Sequence, residues 1–173
     1  LASSSDGHVR RTPWSNADAT ADATGKVAVA QAGGAGIAVS VLATWANKAA
    51  PPPFQDTLSA TLAALSLLVN LSSCSGTLQH EAVLRAGGAR ACATVIEVLS
   101  HDPDVLYSCF SVLTKLSCGD SACQEAVREV DAAGLAVTAM KRHPQRADVV
   151  EYCLRLFTTL TQIPLVTRSP EDL

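Results

Sequence analysis

The sequence predicts an all-α protein built from repeated helical units. Apolar residues make up 48% of the 173 residues and aromatic residues only 4%, so Leu, Val and Ala must form the core. Such a core favours closely packed helices over a β-sandwich, which draws on aromatic and β-branched residues. The apolar residues recur at helical spacing and do not alternate as in a strand. Similar segments also recur about every 44 residues along the chain, which indicates a repeat architecture.

The clearest repeated segment is a long apolar helix. Residues 104–117 (DVLYSCFSVLTKLS) align with residues 148–161 (DVVEYCLRLFTTLT) at an offset of 44, and with residues 59–72 (SATLAALSLLVNLS) at an offset of 45. In each copy the apolar positions follow the i, i+3, i+4, i+7 pattern of one helix face. One position holds a small residue in all three copies, where we expect a neighbouring helix to approach closely: Ala64, Cys109 and Cys153.

A second repeated element precedes each long helix. Glu81-Ala82-Val83 recurs as Glu125-Ala126-Val127, and the earliest version is Val27-Ala28-Val29. Each is followed by a turn and a further apolar helix, so each unit reads as short helix, glycine turn, medium helix, loop and long helix. We expect equivalent turn glycines in the three units: Gly34, Gly88 and Gly134.

Several residues mark where helices begin and end. Asp102-Pro103-Asp104 predicts a helix start, because proline fits the first turn and an acidic residue suits the positive helix end. Gly76 and Gly119 fall just past predicted helix ends, where a left-handed residue is expected, and Pro164 closes the last long helix.

An inserted loop, residues 49–54 (AAPPPF), lengthens the spacing between the first and second units. Its prolines Pro51 to Pro53 favour a pre-extended backbone that costs little entropy to order. We interpret this loop as a second candidate partner contact, with a rigid spacer between helices as the alternative.

Two motifs resemble the armadillo family. Residues 67–72 (LLVNLS) are similar to the end of that family's third helix, where an Asn precedes Leu-Ser, and residues 83–89 (VLRAGGA) are similar to its turn between the first and second helices. The likeness spans residues 25–164. It implies a right-handed α-solenoid, a superhelix of about three three-helix repeats. A HEAT-type or other α-solenoid and a compact non-repeat bundle are the alternatives.

The same reasoning divides the chain into a repeat domain and two tails. We expect an N-terminal tail over residues 1–24, flexible or bound to a partner, since this stretch is rich in Ser, Thr, Asp and Ala. A remnant of an organellar presequence is the alternative for that tail. The repeat domain then comprises units 25–75, 76–119 and 120–164, and a C-terminal tail follows over residues 165–173.

The resemblance also implies a partner-binding surface. In many armadillo proteins the third helices line a groove in which Asn side chains hold the backbone of an extended peptide. Asn70 matches that position, and Lys115 and Thr159 are its equivalents in the other units. The nuclear-import branch places Trp one turn earlier, where this chain has Ser66, Ser111 and Arg155, so an import receptor is disfavoured.

The predicted partner-binding residues are therefore Asn70, Lys115, Arg155, Ser66 and Ser111. Their positive charge favours an acidic or neutral partner segment, which would lie on the concave face as an extended peptide or a helix. The alternatives are that Asn70 caps or bonds within its own helix, and that the two basic residues form a solvated face.

No catalytic, cofactor-binding or metal-binding residues are predicted. The four histidines are scattered without ligand spacing, and Cys118 and Cys123 lack the tight spacing of a zinc site. Gly33-Gly34-Ala35-Gly36 has Val39 where a dinucleotide-binding fingerprint needs Gly or Ala, and no strand precedes it. We therefore expect a non-enzyme without a small-molecule substrate. An enzyme with a His and a thiol converging in one pocket is a third alternative.

The net charge and the cysteine content limit which classes of partner and which compartments fit the sequence. The net charge of −3 gives no electrostatic case for nucleic acid. Residues 27–47 and 57–80 lack charge, but related later copies carry charge, so we interpret both as buried helices without membrane insertion. Six cysteines without a C-x-x-C pair indicate reduced thiols. We expect an intracellular location, cytoplasmic or cytoskeletal, with an organelle as the alternative.

These observations predict a non-catalytic protein–protein interaction module or scaffold. The alternative is a structural accessory subunit buried in a large cytoskeletal, axonemal or organellar assembly. Residues 25–100 carry very few charges, although terminal repeats of a solenoid normally need a polar outer face. We therefore expect the N-terminal end of the domain to pack against neighbouring subunits or further repeats, burying Ile37 and Trp45.

Overall fold

The computed structural model describes residues 19–47, 54–73 and 77–162. Within these ranges the chain forms helices and no strand, so the prediction of an all-α protein is confirmed. Nine helices are present in this part of the chain: α1 (Ala19–Gln31), α2 (Gly34–Asn47), α3 (Phe54–Leu71), α4 (Thr77–Arg85), α5 (Gly88–Val98), α6 (Pro103–Ser117), α7 (Ser121–Glu129), α8 (Ala132–Arg142) and α9 (Ala147–Gln162).

The helices follow one another as three groups of short, medium and long helix. We call these groups unit 1 (α1–α3), unit 2 (α4–α6) and unit 3 (α7–α9). The third helix is the longest of each unit, with 18, 15 and 16 residues in α3, α6 and α9. Each unit therefore has the order of elements that the sequence predicts.

Equivalent helices of successive units pack against each other. The long helix α6 contacts both α3 and α9, the medium helix α5 contacts α2 and α8, and the short helix α4 contacts α1 and α7. The buried apolar residues form one cluster that runs through all three units. The small-residue position of the long helices lies inside this cluster, with Ala64 at 7% exposure and Cys109 and Cys153 at 0%.

The boundary of the N-terminal tail differs from the prediction. Helix α1 begins at Ala19, inside the stretch 1–24 that the sequence assigns to a tail. The alanines of this segment explain the earlier start, because alanine has the highest helix propensity. The remaining predictions for residues 1–18, for Pro51 to Pro53, for Gly76 and for residues 163–173 lie outside the described residues.

The turn between the first and second helices of each unit contains a left-handed residue. Its φ is 84° at Gly33, 78° at Gly87 and 49° at Asp131. Gly34 and Gly88 are equivalent, as predicted, but each begins its helix one residue after the left-handed glycine. The prediction that Gly134 is their equivalent in unit 3 is wrong. Asp is among the few non-glycine residues that tolerate this conformation. Because the units were aligned on glycine, Gly134 was matched to Gly88 two positions too late in the chain. With Asp131 in place, units 2 and 3 keep an offset of 44 throughout.

Asp131 also acts as the N-cap of α8. Its side chain accepts a hydrogen bond from the backbone N–H of Gly134 at 3.2 Å, which satisfies one of the free donors of the first helical turn. Gly134 thus lies within the first turn of α8, directly against this carboxylate.

The two predicted markers around α6 have different outcomes. Asp102 caps α6 by accepting hydrogen bonds from the backbone N–H groups of Asp104 and Val105, and Pro103 occupies the first turn, as predicted. Gly119 is not left-handed, because Gly33 and Gly87 are the described glycines with positive φ. A side chain at Gly119 would meet Cys123 and the carbonyl oxygen of Leu116, so close packing is the constraint on this residue.

Gly87 offers a test of this turn. A Cβ at Gly87 would meet no heavy atom within 4 Å, so it adds backbone strain without a steric clash. We expect Gly87→Val to lower the free energy of unfolding by about 1–2 kcal/mol, because a left-handed conformation is strained for a β-branched residue. Gly87→Asp should cost clearly less, since Asp131 adopts the same conformation and an Asp at this N-cap can also bond the first turn of α5, as Asp131 does in α8. Urea denaturation of both variants measures the difference, and equal losses would contradict the explanation.

Candidate protein-binding surface

Equivalent positions of the three long helices define a candidate surface. On α3 these residues are exposed and recur at helical spacing, and we call this stripe and its equivalents on α6 and α9 the third-helix surface. It consists of Ser59, Ala63, Ser66 and Asn70 on α3 with Ser73 just after it, of Asp104, Ser108, Ser111 and Lys115 on α6 with Cys118 at its C-cap, and of Asp148, Tyr152, Arg155, Thr159 and Gln162 on α9.

Asn70 is exposed near the C-terminal end of α3. Its side chain makes no hydrogen bond within the described residues. The amide therefore neither caps nor bonds within its own helix there. A side-chain amide has both donors and an acceptor, so it can pair with the N–H and C=O groups of another chain.

Lys115 links α6 to α3. Its half-buried side chain donates a hydrogen bond from Nζ to Oγ of Ser73 at 2.6 Å. No carboxylate of the described residues forms an ion pair with Lys115. The ammonium group therefore places an uncompensated positive charge beside the end of the helix that carries Asn70.

Arg155 contributes less positive charge than the sequence suggests. It is exposed on α9 and forms an ion pair with Glu151 at 2.6 Å. Its guanidinium carbon also lies 5.4 Å from the centroid of the Tyr152 ring. The pair is electrically neutral, and such exposed pairs contribute little to stability.

The two predicted serines have different environments. Ser66 is exposed one turn before Asn70, whereas Ser111 has only 1% of its surface exposed. The reason lies in the packing, because α6 is flanked by α3 on one side and α9 on the other. The hydroxyl group of Ser111 therefore offers no surface for a partner in this structure, and the partner-contact prediction for Ser111 needs correction.

A pair of tyrosines extends the surface toward α9. The rings of Tyr107 on α6 and Tyr152 on α9 meet edge to face with centroids 4.9 Å apart. Burial raises the pKa of Tyr107 above its usual value, and the neighbouring Tyr152 acts in the same direction. The sequence comparison missed this pair because the two tyrosines are 45 residues apart, while α6 and α9 align at an offset of 44. The two segments VLYSC and VEYCL place their tyrosines one position apart in the alignment, and this was the sequence signal for a contact between the rings.

Polar contacts tie the long helices of units 2 and 3 together. Oγ of Ser117 lies 2.6 Å from Oγ1 of Thr159. At the other end, Arg146 forms ion pairs with Asp104 at 2.7 Å and with Asp148 at 2.8 Å. The hydrogen bond from Arg146 lowers the pKa of Asp148. These contacts hold the surface residues of neighbouring helices in a fixed register.

His80 and His143 lie at junctions between helices. Nε2 of His80 lies 2.9 Å from the carbonyl oxygen of Ser72, and Nε2 of His143 lies 2.9 Å from that of Ser100. Both rings therefore bond a backbone carbonyl near the end of a helix. Within the described ranges, no group of three or more His, Cys, Asp or Glu residues is placed to hold a metal ion.

The thiols of the described part of the chain are largely enclosed. Cys118 is exposed, and the others with described burial lie in the core. Burial raises the pKa of Cys123 to about 11 and that of Cys153 to about 12. Both thiols are therefore protonated near neutral pH, whereas nucleophilic attack requires the thiolate.

No single helix of the described ranges has the length and hydropathy needed to cross a membrane. One bent pair, residues 24–31 with 34–46, passes by length and composition only, with an angle of 64° between its two parts.

Comparison of the chain with family models, with curated proteins and with solved structures gave no significant match.

Proposed function

We propose that this chain is an armadillo-like α-solenoid module whose third-helix surface binds an extended segment of a partner protein without catalysing a reaction. The observation that carries the proposal is the exposed amide of Asn70 near Lys115, where within the described residues the amide has no hydrogen-bond partner and the ammonium group no carboxylate partner. The packing of equivalent helices in successive units supports the solenoid arrangement.

The chemistry of the surface suits an extended peptide. An extended backbone presents N–H and C=O groups that have no partner of their own, and Asn70 can satisfy one of each. The edge of the tyrosine pair, Tyr107 and Tyr152, offers an apolar contact with polar hydroxyl groups, a combination that is common at protein interfaces. The surface therefore combines backbone recognition with a site for one apolar side chain.

Charge sets the preferred composition of that segment. Since Glu151 neutralises Arg155, Lys115 supplies the positive charge in the middle of the surface. We infer that the partner segment is acidic or neutral. Complementary charge of this kind contributes to the choice of partner and to the rate of association.

Selection from a random peptide display library tests the proposal. With the full chain as bait, we expect enrichment of peptides that carry Asp or Glu. Lys115→Glu should remove or reverse that enrichment, whereas Lys141→Glu on α8, outside the third-helix surface, is the matched control and should preserve it. Failure to enrich any peptide, or an equal effect of the two variants, would contradict the proposed function.

A structural accessory subunit is the alternative function. The observation that favours it is the exposure of large apolar residues at both ends of the domain, with Ile37 at 65% and Leu154 at 53%. Affinity capture from the native lysate separates the two functions. A fixed set of subunits that survives high salt supports an accessory subunit, while salt-sensitive recovery that is lost in Lys115→Glu supports the peptide-binding module.

A further inference from the structure

The exposed apolar residue of α9 occupies a position that is buried in the other two units. Leu154 is 53% exposed, whereas its equivalents Phe110 on α6 and Leu65 on α3 are both 0% exposed. The three positions differ in whether a following unit packs against them. Helix α3 is covered by α6, and α6 is covered by α9. Within the described residues, no further helix follows α9. Leu154 therefore occupies a position that is covered wherever a described unit follows.

Helix α8 shows the same change. Val137 is 39% exposed, while its equivalent Ala93 on α5 is 9% exposed, and Ala133 is exposed where Ala89 is 3% exposed. We call five of the apolar residues that lose burial in unit 3 the C-terminal end face. They are Ala133, Val137, Met140, Leu154 and Phe157.

At the opposite end of the domain, no helix of the described residues precedes α1. Val29 is 40% exposed, whereas its equivalents Val83 and Val127 in the later units are 0% exposed. Ile37 on α2 is 65% exposed, while its equivalents in units 2 and 3 are half-buried. We call Val29, Ile37, Val41 and Trp45 the N-terminal end face.

This end also contains a shallow open cavity of about 460 Å³ beside Ile37, Val41 and Trp45. Gly33 and Gly36 also line this cavity, and the space beside them is empty, since a Cβ at either glycine would meet no heavy atom within 4 Å. An apolar side chain from another molecule can therefore enter the cavity without displacing atoms of this chain.

The two end faces are matched in register. Within the chain, medium helix packs on medium helix, as α2 on α5 and α5 on α8, and α8 of one molecule against α2 of another continues the same pattern. Helix α2 contains no charged residue, so like-charge repulsion does not oppose its contact with α8. Arg155 on α9, whose equivalent Ser111 is 1% exposed, also loses burial in unit 3, and its charge is paired with Glu151.

We propose that the C-terminal end face of one molecule binds the N-terminal end face of a second copy of this chain, head to tail. The interface is heterologous, because each copy uses two different surfaces. Such a contact produces a closed ring or an open chain of molecules. On α9 this contact would also cover Arg155, as α9 covers the equivalent Ser111, whereas the third-helix surface of α3 and α6 is unchanged. Association therefore multiplies the number of peptide-binding surfaces in one particle.

Analytical ultracentrifugation of the full 173-residue chain tests this proposal. We expect the average mass to rise with concentration and to exceed that of a dimer. Leu154→Glu and Ile37→Glu should each be monomeric alone, because each variant lacks one of the two faces. An equimolar mixture should form dimers and stop there, since one intact face of each kind remains. Leu78→Glu on α4, at 57% exposure, is the matched control and should associate like the natural chain.

Circular dichroism melting of the three variants checks that they remain folded. A natural chain that stays monomeric over the whole concentration range overturns the proposal, since the end faces are then covered by other parts of the chain or reserved for a different protein. A mixture of Leu154→Glu and Ile37→Glu that stays monomeric also overturns it. Peptide binding to the third-helix surface is measured separately, so either proposal can fail while the other holds.

Discussion

Phe110→Ala is expected to lower the free energy of unfolding by about 3–5 kcal/mol, because it removes a fully buried aromatic ring and leaves a cavity. Phe110 is 0% exposed on α6, between the long helices of the neighbouring units. Loss of its ring therefore weakens contacts within unit 2 and between units. Urea denaturation of the purified chain measures the change.

Leu154→Ala is the matched control for this experiment. Leu154 occupies the equivalent position on α9 but is 53% exposed. We expect its substitution to change the free energy of unfolding by less than about 0.5 kcal/mol, as for most surface positions. The measurement is made at low protein concentration, where self-association does not contribute. Similar losses for the two variants would contradict the claim that this position is buried on α6 and exposed on α9.

Asn70→Ala is expected to lower the affinity for every selected peptide by about tenfold, whatever the peptide's charge. The reason is that the amide bonds the peptide backbone, and two hydrogen bonds of about 0.5–1.5 kcal/mol each amount to roughly that factor. Lys115→Glu should instead weaken acidic peptides by about tenfold or more and leave neutral peptides less affected. Isothermal titration calorimetry at two salt concentrations measures both effects.

Gln31→Ala supplies the control for the amide. Gln31 is exposed at the end of α1, outside the third-helix surface, so its removal should leave peptide affinity unchanged. A loss in Gln31→Ala as large as that in Asn70→Ala, or no loss in Asn70→Ala, would contradict backbone recognition by the third-helix surface.

Much of the helical organisation could be predicted, because helix periodicity and capping are local properties. The start of α6 is an example: Asp102 and Pro103 specify it through bonds to the adjacent turn. The turn of unit 3 was missed for an equally local reason. Asp131 replaces the expected glycine in a left-handed conformation, and a search for glycine passes over it.

The candidate site was predicted less completely, because exposure depends on neighbouring helices. Ser66 and Ser111 are equivalent in sequence, yet the first is exposed and the second is buried between flanking helices. The charge of Arg155 was overestimated, although Glu151 lies four residues before it, a spacing at which a helix brings the two side chains together. Such local pairs can be read from the sequence, whereas the accessibility of a residue requires the packed structure.

The central claim is that the third-helix surface binds an extended protein segment. Its most direct test is a titration of the isotopically labelled chain with a selected acidic peptide, followed by backbone amide chemical shifts in NMR spectra. We predict that the largest shifts occur at Asn70, Ser73, Lys115 and Thr159. Shifts confined to the short helices α1, α4 and α7, or to the end faces, with Asn70 and Lys115 unchanged, would contradict the claim.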